Sequence, residues 1–148
     1  MRLVIQRVRE AEITVEDRPV AKIGAGALVL VGVAAADGPA RLEAVVDELL
    51  GLRIFDDAAG RLNQSLRDVG GELLLVSQVT LVCGWASGRP SFDPAAPADR
   101  ARAVFSRLVQ LAQNAHPRTQ AGVFQAEMQV RLVNDGPVTV VLDWESPA

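Results

Sequence analysis

Ala27-Leu28-Val29-Leu30-Val31-Gly32-Val33 is an almost unbroken apolar run. A strand with one wet face alternates apolar and polar residues, whereas a run without alternation has both faces covered. The stretch therefore predicts a central strand buried on both sides. Gly24-Ala25-Gly26 before it reads as a turn. After it, Asp37-Gly38-Pro39 reads as a helix start, with Asp37 as the cap and Pro39 in the first turn. Leu42, Val45, Val46, Leu49 and Leu50 then recur at helical spacing and form one apolar stripe, which Gly51 ends. A buried strand followed by a one-sided helix places that helix on the sheet, which makes the domain α/β.

Working outward, residues 3–8, 12–16 and 20–23 read as strands upstream, punctuated by Asp17-Arg18-Pro19. Downstream, residues 52–55 read as a short strand and 56–60 as a polar turn. Asp68-Val69-Gly70-Gly71 is a second turn that launches a long strand over 72–82. Residues 83–97, rich in Gly, Pro, Ser and Ala, read as a loop, and loops of that length are usually functional. Asp99 is placed to cap a second helix, with Val104, Phe105, Leu108, Val109 and Ala112 on its inner stripe and His116-Pro117 as the stop. Residues 122–133 alternate like a strand, Asn134-Asp135-Gly136 reads as a hairpin turn, and 138–144 read as the returning strand. No repeat or linker interrupts the chain. Residues 1–148 are thus expected to form a single α/β domain, a curved mixed sheet or partial barrel covered by two helices.

The chain has 148 residues, 49% of them hydrophobic, enough for a real core. Tyrosine is absent, so that core must be built from Val, Leu, Ile and Ala. The net charge of −3 argues against wrapping a long nucleic acid, DNA included, but not against gripping one end of an RNA. Nearly all the positive charge is arginine, with Lys22 the only lysine, a bias that a GC-rich genome produces without any binding site. Cys83 is the only cysteine, which excludes an internal disulfide and a cysteine-based metal site. Arg2 and Arg7 interrupt the opening residues, no signal-peptide pattern follows, and no apolar segment is long enough to span a bilayer. A cytoplasmic protein without membrane contact is expected.

The usual catalytic constellations are missing. No serine sits in a G-x-S-x-G elbow. His116 is the only histidine and stands at a helix end, suited to meeting carbonyls rather than serving a triad. Gly24-Ala25-Gly26 is followed by a strand and not a helix, so it is no dinucleotide loop. No spacing of His, Asp or Glu suggests a metal, and no cofactor is implied.

Two segments stand out. In Ser77-Gln78-Val79-Thr80-Leu81 a polar pair interrupts an apolar strand just before a long loop. That suits either a strand with a few hydrogen-bonded polar groups or a site at a strand end. Asn134-Asp135-Gly136-Pro137-Val138-Thr139 suits either a tight hairpin with Pro137 opening its strand, or a Gly-Pro pair whose peptide adopts cis at small cost and presents two carbonyls together.

At these segments the chain resembles the D-aminoacyl-tRNA deacylase family, whose signatures read SQFTL and NxGPVT. Residues 1–8, 28–33, Leu52-Arg53-Ile54-Phe55, Asp68-Val69-Gly70-Gly71, Gly88-Arg89-Pro90-Ser91-Phe92 and Met128-Gln129-Val130 fit it too, in order and over the full length. The resemblance implies a hydrolase that cleaves the ester joining a D-amino acid to the terminal adenosine of tRNA, with glycine mischarged on tRNA-Ala left open as a second substrate. It implies a homodimer whose Gly136-Pro137 pair, cis in the family, reaches into the partner subunit's pocket. There its carbonyls face the substrate's α-amino group and leave no room for an L side chain. Ser77, Gln78, Val79 and Thr80 carry the catalytic motif, with Asn134, Val138, Thr139, Phe92 and Met128 in support.

An aminoacyl ester is already activated, and its ribose carries a neighbouring hydroxyl. Orientation and an oxyanion hole are therefore sufficient chemistry. Backbone N–H groups around Val79 and Thr80 suit the latter, and Thr80 is expected to position rather than attack. Two departures bear on binding. Val79 replaces the family's Phe, and the 83–89 segment carries fewer basic residues than its relatives. Trp85 there either stacks on a base or, the favoured expectation, packs on a helix. Two alternatives stay open: a sister deacylase for mischarged L-aminoacyl-tRNA, and a noncatalytic RNA-binding dimer.

Overall fold

The structure is a computed structural model that describes residues 1–145. It opens with three strands, β1 (Arg2–Val15), β2 (Arg18–Ile23) and β3 (Gly26–Gly32). Helix α1 (Leu42–Gly51) follows, then a small hairpin of β4 (Phe55–Asp56) and β5 (Leu62–Gln64), a short helix α2 (Leu66–Val69), and β6 (Glu72–Ser77). A 3₁₀ turn (Val79–Val82) leads to a second small hairpin, β7 (Gly84–Ala86) and β8 (Arg89–Ser91). Helix α3 (Ala98–Ala115), β9 (Thr119–Ala121) and β10 (Gln129–Asp143) complete the chain.

The main sheet runs in the order β10-β1-β3-β6-β9, and β2 pairs with the far half of β1. β3, β6 and β9 are parallel, as strands joined across helices are, while β1 lies antiparallel to both β3 and β10. The sheet curls until β2 meets β9. There the Gln120 side chain accepts from Lys22 N at 3.1 Å and donates to Lys22 O at 2.7 Å. Gly26 permits the close approach of β3 to the start of β6, because a Cβ at that position would run into the Glu72 carbonyl.

The expectation for residues 27–33 is borne out. Ala27, Val29 and Val31 face a core shared with α1 and α3, and Leu28 faces a second core inside the curl with Ile13, Ile23, Leu74 and Val76. β6 behaves likewise: Leu73 and Leu75 face the helices, Leu74 and Val76 the interior. β1 changes sides midway. Leu3 and Ile5 face the helices, but beyond the register shifts at Gln6, Val8 and Glu10 it is Ala11 and Ile13 that face the interior. An extra residue in a pleated strand flips every side chain after it.

Several local expectations need correction. Asp37 does not cap α1. Its carboxylate is buried and accepts from the Met1 amine at 2.8 Å and from Ala34 N at 2.7 Å. α1 starts three residues beyond Pro39, after Arg41 in a left-handed conformation. Asp99 lies inside the first turn of α3 rather than at its cap, where its charge still suits the helix dipole. The 68–71 turn is partly helical: α2 is closed by a capping box in which Ser65 and Asp68 satisfy each other's backbone N–H groups. These bonds, the Ser65 N–H foremost, hold the Asp68 carboxyl below its usual range.

The strand expected over 72–82 stops at Ser77, and the expected 83–97 loop contains the β7–β8 hairpin. The 52–55 strand shrinks to β4, and residues 122–128 are not a strand. The largest correction concerns Asn134-Asp135-Gly136. There is no hairpin. β10 runs from Gln129 to Asp143 beside one neighbour, β1, and the motif is a bulge within it. Gln6 pairs with Thr139 and Val8 with Asn134, so β10 spends five residues where β1 spends two.

Candidate active site

Because β6 ends at Ser77, its last residues open into a cleft of about 700 Å³ at the end of the parallel strands. Such strand ends are where α/β sheets place ligands. Val31, Val33 and Val76 form the floor, Ser77, Gln78 and Val79 one wall, and the start of α3 from Pro97 to Ala101 another. Phe92, Phe124, Gln125 and Met128 complete the rim. The cleft thus gathers Ser77, Gln78, Val79, Phe92 and Met128 from the residues singled out in the sequence. No lining residue carries a charge.

Gln78 N donates to Val31 O at 2.8 Å, which fixes the strand end before the chain turns. Val79 and Thr80 then begin a 3₁₀ turn, so their N–H groups have no acceptor within it. Thr80 is exposed and does not line the cleft; its hydroxyl accepts from Gln78 Nε2 at 2.7 Å. Val79 is half exposed on the cleft wall.

The second motif lies elsewhere. The Gly136-Pro137 peptide is cis, and both residues are exposed in the β10 bulge rather than in the cleft of their own chain. Asn134 braces the bulge from within: Oδ1 accepts from Val138 N at 3.1 Å and Nδ2 donates to Thr139 Oγ1 at 3.0 Å. Arg7 braces it from β1. This arginine is buried, and its Nε donates to Asp135 O at 2.9 Å while Nη1 donates to Ile54 O at 3.0 Å. Its guanidinium also lies 3.5 Å from Asp56 and 3.8 Å from Asp135 carboxylate oxygens. Gly136, at φ +135°, presses against it, since a Cβ there would stand 3.0 Å from Arg7 Nη2 and 2.9 Å from Val138 Cγ2.

Sequence reasoning missed Arg7, Phe124 and Gln125. A lone arginine in an apolar strand was the available signal for the first. The others were hidden by an alternating pattern that the backbone does not follow: Gln125 sits at φ +60° in a turn closed by Ala126 N donating to Val123 O. Arg102 on α3 holds that turn, donating to Gln125 Oε1 at 2.8 Å and lying 4.8 Å over the Phe124 ring.

His116 is not near the cleft. Its Nε2 meets Gly71 O at 2.7 Å in the interior, so it ties the end of α3 to the start of β6, as a carbonyl-binding histidine rather than a base. Trp85 packs on no helix: at 71% exposure it is the most exposed large apolar side chain among the described residues. Among those residues no group of three His, Cys, Asp or Glu side chains could hold a metal.

A family model described as D-Tyr-tRNA(Tyr) deacylase matches residues 4–143. The D-aminoacyl-tRNA deacylase of Desulfitobacterium hafniense (strain DSM 10664 / DCB-2) is 51% identical over 146 residues, 98% of each chain. That of Solidesulfovibrio magneticus is 54% identical over 152 residues, 97% of this chain and 95% of the relative. The solved c-Myc DNA Unwinding Element Binding Protein superposes with a TM-score of 0.92 at 37% identity over the whole of both chains. A probable eukaryotic D-amino acid tRNA deacylase superposes at 0.85 with 20% identity, over 97% of this chain and 98% of the other, a likeness of fold.

Proposed function

The chain belongs to the D-Tyr-tRNA(Tyr) deacylase family, and from that premise we propose how its residues share the work. It is a hydrolase that cleaves the ester of D-aminoacyl-tRNA, releasing the D-amino acid and the tRNA. Neither the sister L-specific activity nor a noncatalytic role finds support in its relatives.

The observation that carries the mechanism is the cleft's lack of any ionisable lining residue. No side chain there can serve as general base, so the reaction depends on orientation and on fixed dipoles. The cleft takes the terminal adenosine and its ester. The unengaged N–H groups at the start of the 3₁₀ turn, from Val79 and Thr80, stabilise the oxyanion, and the neighbouring ribose hydroxyl helps place water. Thr80 holds the Gln78 amide and does not attack.

Chirality is read by Gly136 and Pro137 of a second copy, whose carbonyls take the substrate's α-amino group and exclude an L side chain. The motif's exposure, away from its own cleft, supports this. So does its place on β10, a long edge strand with Val130, Val133 and Val141 exposed. Such an edge is a template on which another chain can pair or pack. The compartment is the cytoplasm, where acylated tRNA is used.

The deciding experiment is steady-state hydrolysis of D- and L-aminoacyl-tRNA and of glycyl-tRNA by the purified chain. Turnover of the D ester alone, or of D and glycyl esters, is the expected result, and turnover of the L ester at a matching rate would overturn the chiral assignment. Light scattering at micromolar protein should give twice the chain mass, and an active monomer would remove the partner's motif from the site. Thr80→Ala should lower kcat/KM by no more than about tenfold, roughly 1.4 kcal/mol, the upper end of what one hydrogen bond contributes. Complete loss in a folded variant would make Thr80 a nucleophile.

A further inference from the structure

Trp85 is unused by the mechanism above, and its placement is that of a platform. β7 and β8 are joined by only two residues, Ser87 at φ +51° and Gly88 at φ +75°. Positive φ at both positions is the tight turn whose twist matches the strands, so the hairpin is short and stiff. It holds Trp85 opposite Pro90, with the indole open to solvent. Arg89 follows the turn, is exposed, and makes no ion pair among the described residues.

The hairpin is also continuous with the cleft. It is the chain between Val79 on the cleft wall and Phe92 on its rim, and both of those side chains are half exposed. In the hairpin's register Trp85 and Pro90 share one face and Ala86 and Arg89 the other. The flat ring, on the stretch of chain that joins the cleft's wall to its rim, fits an unpaired base, while the arginine on the opposite face adds positive charge toward the phosphates. A protein carrying net charge −3 needs such a local cation to approach RNA.

We propose that Trp85 is a stacking site for an unpaired base of the tRNA 3′ end, one or more nucleotides before the terminal adenosine held in the cleft, with Arg89 on the hairpin's other face as a separate phosphate contact. The inference rests on the functional reading for the identity of the RNA. The site supplies binding and not chemistry.

The test uses both fluorescence and turnover. In a Trp144→Phe background, which leaves Trp85 as the only tryptophan, titration with a short unacylated RNA ending in CCA should quench the emission. Trp85→Ala should raise KM for D-aminoacyl-tRNA by about fivefold or more with kcat within about twofold, and Trp85→Phe should restore KM, because stacking asks only for a ring. Arg89→Ala should raise KM and flatten its salt dependence. Normal turnover by the parent with no quenching, or with an unchanged KM in Trp85→Ala, would overturn the stacking site and leave the deacylase reading intact. Absence of turnover by the parent would overturn that reading, while the RNA titration, which needs no turnover, still decides for or against Trp85. Emission that shifts with protein concentration and ignores RNA would show Trp85 covered by a second copy, and would also overturn the proposal.

Discussion

Gly136→Ala is expected to cost the enzyme at least about thirtyfold in kcat/KM on D-aminoacyl-tRNA, roughly 2 kcal/mol. The residue sits at φ +135°, a region that side-chain-bearing residues adopt at a cost of about 1–3 kcal/mol. Space compounds the strain. The new Cβ would stand 2.9 Å from Val138 Cγ2, 3.0 Å from Val138 N and 3.0 Å from Arg7 Nη2. Arg7 cannot yield easily, because two of its nitrogens are bonded to the Asp135 and Ile54 carbonyls. The bulge must move instead, and with it the carbonyls assigned to the partner's substrate. The position is exposed and outside both cores, so the loss should appear in kinetics more than in melting. Tm should fall by several degrees, at about 3 °C per kcal/mol for a chain of this size. A folded Gly136→Ala variant with parental turnover and parental D/L discrimination would take this motif out of the site.

Arg7→Ala should be the most destabilising single change near the site, by about 3 kcal/mol. The Arg7 side chain is 9% exposed. Its removal leaves two carbonyl oxygens without their donor and takes the counter-charge from Asp56 and Asp135. Tm should drop by about 6–12 °C, and kcat/KM on the D ester should fall at least about tenfold as the bulge loses its brace. Arg7→Lys should recover part of the stability and little of the activity. A compact ammonium keeps the charge but cannot reach both carbonyls in the geometry of the planar fork. A melting temperature within about 2 °C of the parent in Arg7→Ala would show that the bulge stands without it.

The two variants separate two roles of β10. On the proposed reading Gly136 shapes what a partner's cleft meets, whereas Arg7 holds the bulge from β1.

Much of this was written in local sequence. The unbroken runs at residues 27–33 and 72–77 encode strands buried on both faces, and both meet two cores. The stripes Leu42 to Leu50 and Val104 to Ala112 encode helices with one buried side, and both bury it. Those patterns are legible because burial acts on each residue's own side chain at a fixed period. The Ser77 and Gly136 motifs likewise named the family, and the lack of a histidine near them, which leaves Cys83 and Thr80 without a base in sequence, already argued for catalysis by positioning. What tertiary structure decided is where strands find partners. Asn134-Asp135-Gly136 has the residues of a hairpin turn, yet both of its flanks bond to β1, and eleven paired residues of that neighbour outweigh a local turn preference. Asp37 has the chemistry of a cap, yet the Met1 amine lies closer to it than the helix does. Gln125 alternates like a strand residue, but Arg102 on α3 secures it in a turn at the cleft's rim. In each case the sequence states what a residue can bond to, and only the packed chain determines which partner, distant along the sequence, arrives within reach.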